Sequence, residues 1–195
     1  MTGASGGGTQ TFILGAIDDR LAAAFPAVMV STAMQGGCVC ENCSYLRVRT
    51  GNVELAALFA PKPMAMSCAD DWTKDVLKVG HGLPELKKLY ALYGKEENVA
   101  AKAWLQFGHN YNQVSREFMY SWFAKHLLGK DEEVSEKPFV PVPPKELSVF
   151  DEKHPRPAGE FDAAKLRQAM AAASDEQSAA LSADERRAVA GTALR

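Results

Sequence analysis

The chain has 195 residues, of which 47% are hydrophobic and 24% charged, and its formal net charge is −2. This is a globular mix, enough for one domain of ordinary size plus an appendage. It offers no basic footprint for nucleic acid or an anionic membrane surface. No apolar run reaches the length of a membrane span, and no basic-then-apolar leader opens the chain.

In chain order, residues 9–17 (TQTFILGAI) predict a short, mostly buried helix, and the apolar run 22–31 a buried strand after Pro26. Residues 32–52 are rich in Gly, Cys, Asn and Ser and read as loop. Residues 52–58 form a short helix stopped by Pro61 and Pro63, and 63–68 a second apolar strand running into Ala69-Asp70-Asp71-Trp72. Residues 83–94 are an amphipathic helix with Leu83, Leu86, Leu89, Tyr90 and Tyr93 near one face and Gly94 as its stop. A third strand spans 101–107 and a loop 108–112. A strong helix over 113–128 turns Val114, Phe118, Trp122 and Phe123 inward and ends at Gly129. Strand–helix alternation of this kind predicts an α/β fold with a parallel sheet.

After residue 130 the composition changes. Lys137 to Pro157 is proline-rich and reads as a linker or strap. The Ala-rich end is helical, with capping-box patterns at Ser174-Asp175-Glu176-Gln177 and Ser182-Ala183-Asp184-Glu185. The expected organisation is therefore a domain over 1–130, a proline-rich strap over 131–160 and helices over 161–195.

The opening Gly3-Ala4-Ser5-Gly6-Gly7 fits G-x-S-x-G, which presents a serine on a sharp strand-to-helix turn. A nucleophilic hydroxyl needs exposure, a base and donors for an oxyanion. Small residues at Gly3 and Gly7 would permit the turn, and the Gly6 N–H at the start of the next helix is the natural oxyanion donor. The partners should follow as an acid and then a histidine. Asp70 and Asp71 end one predicted strand and His109 follows the next, where an open α/β sheet builds its sites. Asp71 could equally be a helix N-cap, and Asp70 a solvated turn carboxylate. His81, His126 and His154 have no such pattern around them.

The four cysteines are Cys38, Cys40, Cys43 and Cys68. The C-x-C-x-x-C cluster could hold a metal or form a redox pair, or could simply supply free thiols in a loop. With no second paired Cys/His motif to complete a site, the expectation is no metal and no cofactor.

Gly3 to Thr11, the Gly36-Gly37-Cys38-Val39-Cys40-Glu41-Asn42 loop, Ala60-Pro61-Lys62-Pro63, Asp71-Trp72-Thr73-Lys74 and Gly108-His109-Asn110-Tyr111 together resemble the acetyl xylan esterase-like branch of the α/β-hydrolases. The resemblance spans about residues 1–129. It implies a serine carboxylic-ester hydrolase with Ser5 as nucleophile, Asp71 as acid, Asp70 as the rival acid, and His109 as base. Trp72, Tyr111 and Gly37 would border the pocket. The implied substrate is a small ester or acylated carbohydrate, and xylan-directed relatives act outside the cell, in a secreted or periplasmic setting.

Two residues precede Gly3, whereas the family has several strands before its elbow. The implied fold is thus a partial α/β-hydrolase: a mostly parallel sheet with flanking helices, lacking the N-terminal strands. On this reading the strand that feeds Ser5 is absent, as is the earlier loop that gives the second oxyanion N–H. The exposed sheet edge would need a cover, either a second copy of the chain, the favoured reading, or the C-terminal strap folded back along it. Two other readings stay open: a non-catalytic hydrolase-derived interaction module, and a Cys-loop metal or redox protein.

Overall fold

The computed structural model describes residues 1–32, 50–78, 80, 82–159 and 162–193. The Gly36–Cys43 loop, with Gly37, Cys38, Cys40 and Cys43, and His81 lie outside the described residues. The chain divides into two units, Met1–Lys137 and Pro138–Arg195.

The first unit is built on four strands: β1 (Thr2–Ala4), β2 (Phe25–Ala27), β3 (Met64–Ala69) and β4 (Val99–Trp104). They lie in the order β1-β2-β3-β4 and every neighbouring pair is parallel. The helices are α1 (Gly6–Ile17), α2 (Asn52–Ala57), α3 (Leu83–Leu92) and α4 (Gln113–Leu128), with short 3-10 helices at Trp72–Leu77 and Glu96–Asn98. The architecture is a partial α/β-hydrolase fold.

Parallel strands carry helices on both faces, so central ones read as unbroken apolar runs. β3, MAMSCA, is buried at all six positions. Its alternation feeds two cores. Met64, Met66 and Cys68 join Phe12, Val53, Phe59, Leu86 and Tyr90, which come from α1, α2, α3 and the segments beside them. Ala65 and Ala69 join Phe25, Val28, Met119 and Trp122, the last two from α4.

Three expectations for the strands need correction. First, a strand does feed Ser5: β1 pairs with β2 through Thr2↔Phe25, Gly3↔Pro26 and Ala4↔Ala27. Three residues are too few to show a period-two pattern, so only the pairing reveals the strand. Second, β2 is the three residues Phe25–Ala27 rather than a strand after Pro26, and Pro26 lies inside it. Ala24 and Val28 on either side donate to Pro63 and Ser67 of the β3 segment. Pro26 has no N–H to give between them, so the β2–β3 ladder is thin. Val28, with φ of 45°, then turns the chain out of the sheet. Third, β4 begins and ends earlier than 101–107, and Leu105 (55% exposed) lies in the turn after it.

The helix over 113–128 stands as expected. Asn112 caps it through its side chain, and Gly129 closes it at φ of 67°, a conformation that favours glycine. Beyond it, residues 131–137 return along α4. Val134 N–H donates to Ser121 Oγ at 2.9 Å, and Glu136 pairs with Arg116 and accepts from Tyr120 Oη at 3.0 Å.

In the second unit, α5 (Ala163–Ala180) and α6 (Ala183–Ala193) follow a proline-rich stretch. The capping pattern at Ser174 starts no helix, because α5 runs through it uninterrupted. Helical neighbours on both sides satisfy the backbone there, so no orphan N–H groups call for a cap. The pattern at Ser182 does act as a cap: its N–H and hydroxyl donate to Glu185 Oε2 at 2.8 and 2.6 Å. Among the described residues, no helix is long and apolar enough to cross a membrane.

A candidate active site at the carboxyl edge of the sheet

All four strands run the same way, so their C-terminal ends share one edge of the sheet. Ser5 follows β1, Asp70 and Asp71 follow β3, and His109 lies five residues beyond β4. Ligands in open α/β sheets bind outside this edge.

Ser5 links β1 to α1. Its φ of 56° and ψ of −123° are unusual for a residue with a side chain. Such strain persists only where the surroundings enforce it, and here they do. Ser5 N–H donates to Ala27 O at 3.1 Å, and Ser5 O accepts from Thr9 N–H at 3.0 Å. The turn also needs Gly3, where a Cβ would lie 2.5 Å from Gly7 O. The expected need for a small residue at Gly7 is not met, since a Cβ there would meet nothing within 4 Å. The second restricted position is Gly8, where a Cβ would come within 2.8 Å of Ala27 O and 2.9 Å of Met29 Cβ. What crowds Gly3 is the backbone of Gly7. Gly6 begins α1, so its N–H belongs to the first turn, which has no partner within the helix.

Asp71 and His109, 38 residues apart in the chain, meet directly: His109 Nδ1 lies 2.7 Å from Asp71 Oδ2. An ionised carboxylate can only accept, so Nδ1 carries the proton and Nε2 keeps its lone pair. Asp71 is also the N-cap of the 3-10 helix, since its Oδ1 accepts from Thr73 N–H at 2.7 Å. Capping and pairing with histidine, weighed as alternatives from the sequence, occupy different oxygens of one carboxylate. The side chain of Asp71 is 8% exposed and that of Asp70 is 55% exposed, with Asp70 bound instead to Lys74 Nζ at 2.6 Å. The indole of Trp72 stacks on the His109 ring, with centroids 5.0 Å apart and planes at 29°.

Tyr111 packs on Phe25 (centroids 6.4 Å apart), and its hydroxyl meets Thr2 Oγ1 at 2.6 Å. It thus braces the strand that carries Ser5, and burial raises its phenol pKa. His126 packs against Trp122 at the end of α4, with the rings tilted by 47°, and burial there lowers its pKa. A cavity of about 230 Å³ between β4, α4 and residues 133–135 is lined by none of Ser5, Asp71 and His109. Among the described residues, no group of three or more His, Cys, Asp or Glu could hold a metal ion.

Sequence reasoning missed Thr73 and Ser31. Thr73 is fully buried and touches Asp71 twice, and Ser31 Oγ donates to Trp72 O at 3.1 Å. The Asp-x-Thr spacing at 71–73 is the usable signal for the first, because an Asp cap reaches the N–H two residues on. Nothing local marks Ser31.

Cys68 lies on β3 three residues before Asp71. Burial first, and the Asp71 charge second, push its thiol up to about 12 from 9.0. The raised folded value means that the thiol's contribution to stability is complete below about pH 9 and is lost as pH climbs towards 12. Urea denaturation between pH 9 and 10 should therefore show stability falling, by up to about 1.4 kcal/mol per pH unit from this group. In Cys68→Ala the fall over the same interval should be shallower. An unchanged slope would place the thiol in contact with water.

Known structures are similar to this chain over most of its length. The methylesterase BT1017 is 30% identical over 78% of this chain, with a TM-score of 0.64. The glucuronoyl esterase catalytic domain from Hypocrea jecorina is 13% identical over 78%, with a TM-score of 0.50. A glucuronoyl esterase from Sporotrichum thermophile, in complex with methyl 4-O-methyl-β-D-glucopyranuronate, is 20% identical over 79%, also with a TM-score of 0.50. This chain spans 35% of the methylesterase chain and 50% of each of the other two. No protein-family model matches it, and no curated protein sequence does. The chain is thus similar to carbohydrate esterases of the α/β-hydrolase type.

Proposed function

We propose that this chain carries the catalytic residues of a serine carboxylic-ester hydrolase, and that its substrate is a small ester or an esterified carbohydrate. The observation that carries the reading is the Asp71–His109 hydrogen bond, on the same sheet edge as a serine held at positive φ. Similarity to a methylesterase supports an ester-cleaving activity.

In this mechanism His109 Nε2 takes the Ser5 hydroxyl proton as Ser5 Oγ attacks the ester carbonyl. The carbonyl oxygen becomes an oxyanion, held by the Gly6 N–H. As the C–O bond breaks, His109 returns the proton to the departing alcohol, leaving an acyl group on Ser5. Water then loses a proton to His109 and attacks that acyl group; as the bond from the acyl carbon to Ser5 Oγ breaks, His109 returns the proton to Ser5 Oγ and the carboxylic acid leaves. Asp71 keeps the imidazole in the tautomer that makes Nε2 the base. Trp72, against the His109 ring, forms one wall of the substrate site, with Tyr111 and Gly37 as the other candidates from the sequence.

An acetylated sugar puts acetyl on Ser5 and releases the sugar. A methyl ester of a sugar acid puts the sugar acid on Ser5 and releases methanol. The experiment compares purified chain and Ser5→Ala on p-nitrophenyl acetate, acetylated xylo-oligosaccharide and the methyl ester of glucuronic acid. The expected result is hydrolysis of at least one that disappears with Ser5. Rates equal to those of Ser5→Ala on all three would overturn the proposal. The pair of natural-type esters shows which orientation the site accepts.

A further inference from the structure

The serine-esterase reading makes Asp71 useful only if its carboxylate is held in one orientation. We propose that Thr73 is the residue that positions Asp71 for His109, through its hydroxyl. Thr73 is fully buried at the start of the 3-10 helix. Its hydroxyl donates to Asp71 Oδ1 at 2.5 Å, and its backbone N–H reaches the same oxygen at 2.7 Å. The hydroxyl in turn accepts from the N–H of Ala69, the last residue of β3, at 3.2 Å.

These contacts fix the direction of the proton. A backbone N–H can only donate and an ionised carboxylate can only accept. The single hydroxyl proton of Thr73 must therefore point at Asp71. The end of the sheet thus donates to Thr73, and Thr73 donates to the carboxylate. With Oδ1 held twice by one residue, Oδ2 is the oxygen left to His109 Nδ1, at 2.7 Å. Rotation of the carboxylate would break all three bonds. Between the two residues, Trp72 stacks on the imidazole face and Ser31 anchors its carbonyl. Three consecutive side chains thus set the edge, the face and the underlying support of one histidine.

A capping residue with no part in the reaction would need only the backbone N–H. The hydroxyl separates the two roles. In the full chain, Thr73→Val keeps the shape and the N–H but removes the hydroxyl. It should lower kcat for p-nitrophenyl acetate by about tenfold or more, an order set by small misplacements of catalytic groups, with KM nearly unchanged. Thr73→Ser should restore most of the rate. The NMR resonance of the His109 Nδ1–H proton, which reports its hydrogen bond to Asp71, should move upfield in Thr73→Val, because a loosened carboxylate accepts that bond less well. Thr73→Ser should return the resonance toward its parental position. If Thr73→Val does not fold, Thr73→Cys, with its weak S–H donor, carries the same expectations.

A Val or Cys variant with parental kcat and a parental His109 Nδ1–H resonance would overturn the proposal. So would a Thr73→Ser variant as slow as Thr73→Val. If the parent shows no Ser5-dependent hydrolysis, the esterase reading fails, while the His109 Nδ1–H resonance still decides whether Thr73 acts through Asp71.

Discussion

His109→Ala should lower kcat for p-nitrophenyl acetate by about 10⁴–10⁶-fold, and Asp71→Asn by about 10⁴-fold. The two differ because, in the proposed mechanism, the histidine moves the proton, whereas the aspartate only holds the histidine. The side-chain amide introduced by Asp71→Asn would still reach Thr73 through its oxygen, but would face His109 with its NH₂. That donor favours the tautomer with the proton on Nε2, which cannot act as base. The double variant should be no slower than His109→Ala alone, because groups that act as a unit are not additive. Circular dichroism should show an intact fold, since the His109 side chain is 30% exposed and contributes little to the core. Additive losses in the double variant would mean that the two residues act separately, and the triad reading would fail.

Gly3→Ala should destabilise the first unit by about 2–4 kcal/mol, whereas Gly7→Ala should be neutral or stabilising by up to about 1 kcal/mol. The Cβ added at Gly3 meets Gly7 O at 2.5 Å, Gly7 C at 2.6 Å and Gly7 Cα at 2.9 Å. All three are backbone atoms at the root of α1, so no side chain can swing away. Relief would need β1 to part from β2 or α1 to lift off the sheet, and either would disturb Ser5. The Gly7 position is open, and alanine there removes the conformational cost of a helical glycine. Thermal melts of both variants beside the parent test this. Equal melting temperatures for Gly3→Ala and the parent would show that the turn is not as close as described.

Much of this was readable before any tertiary contact was known. The period of 113–128, with Asn112 before it and Gly129 behind it, marks α4 by local rules alone. The apolar run at Met64–Cys68 marks a buried strand because a parallel strand needs no polar face. The G-x-S-x-G pattern locates the turn at Ser5, and Gly3 is the glycine of the pattern that the turn confines. The acid remained ambiguous by position alone: Asp70 and Asp71 are neighbours of the same chemistry. The resemblance to known esterases favoured Asp71, and in the structure the two carboxylates go to different partners, Asp70 to Lys74 and Asp71 to His109.

The chain by itself therefore marked its longer helices and the buried strand at Met64–Ala69, because these depend on residues within a turn or two of one another. Tertiary structure decided the rest. β1 is a strand only because Phe25–Ala27 lies beside it. Gly8, not Gly7, is the second confined glycine because Ala27 and Met29 pack against it. Thr73 faces Asp71 with a hydroxyl whose proton is directed by the end of β3. Each of these depends on which groups a folded sheet brings together. Hydrogen-bond direction and steric contact act over a few ångströms, whereas the Asp71–His109 pair is separated by 38 residues of chain.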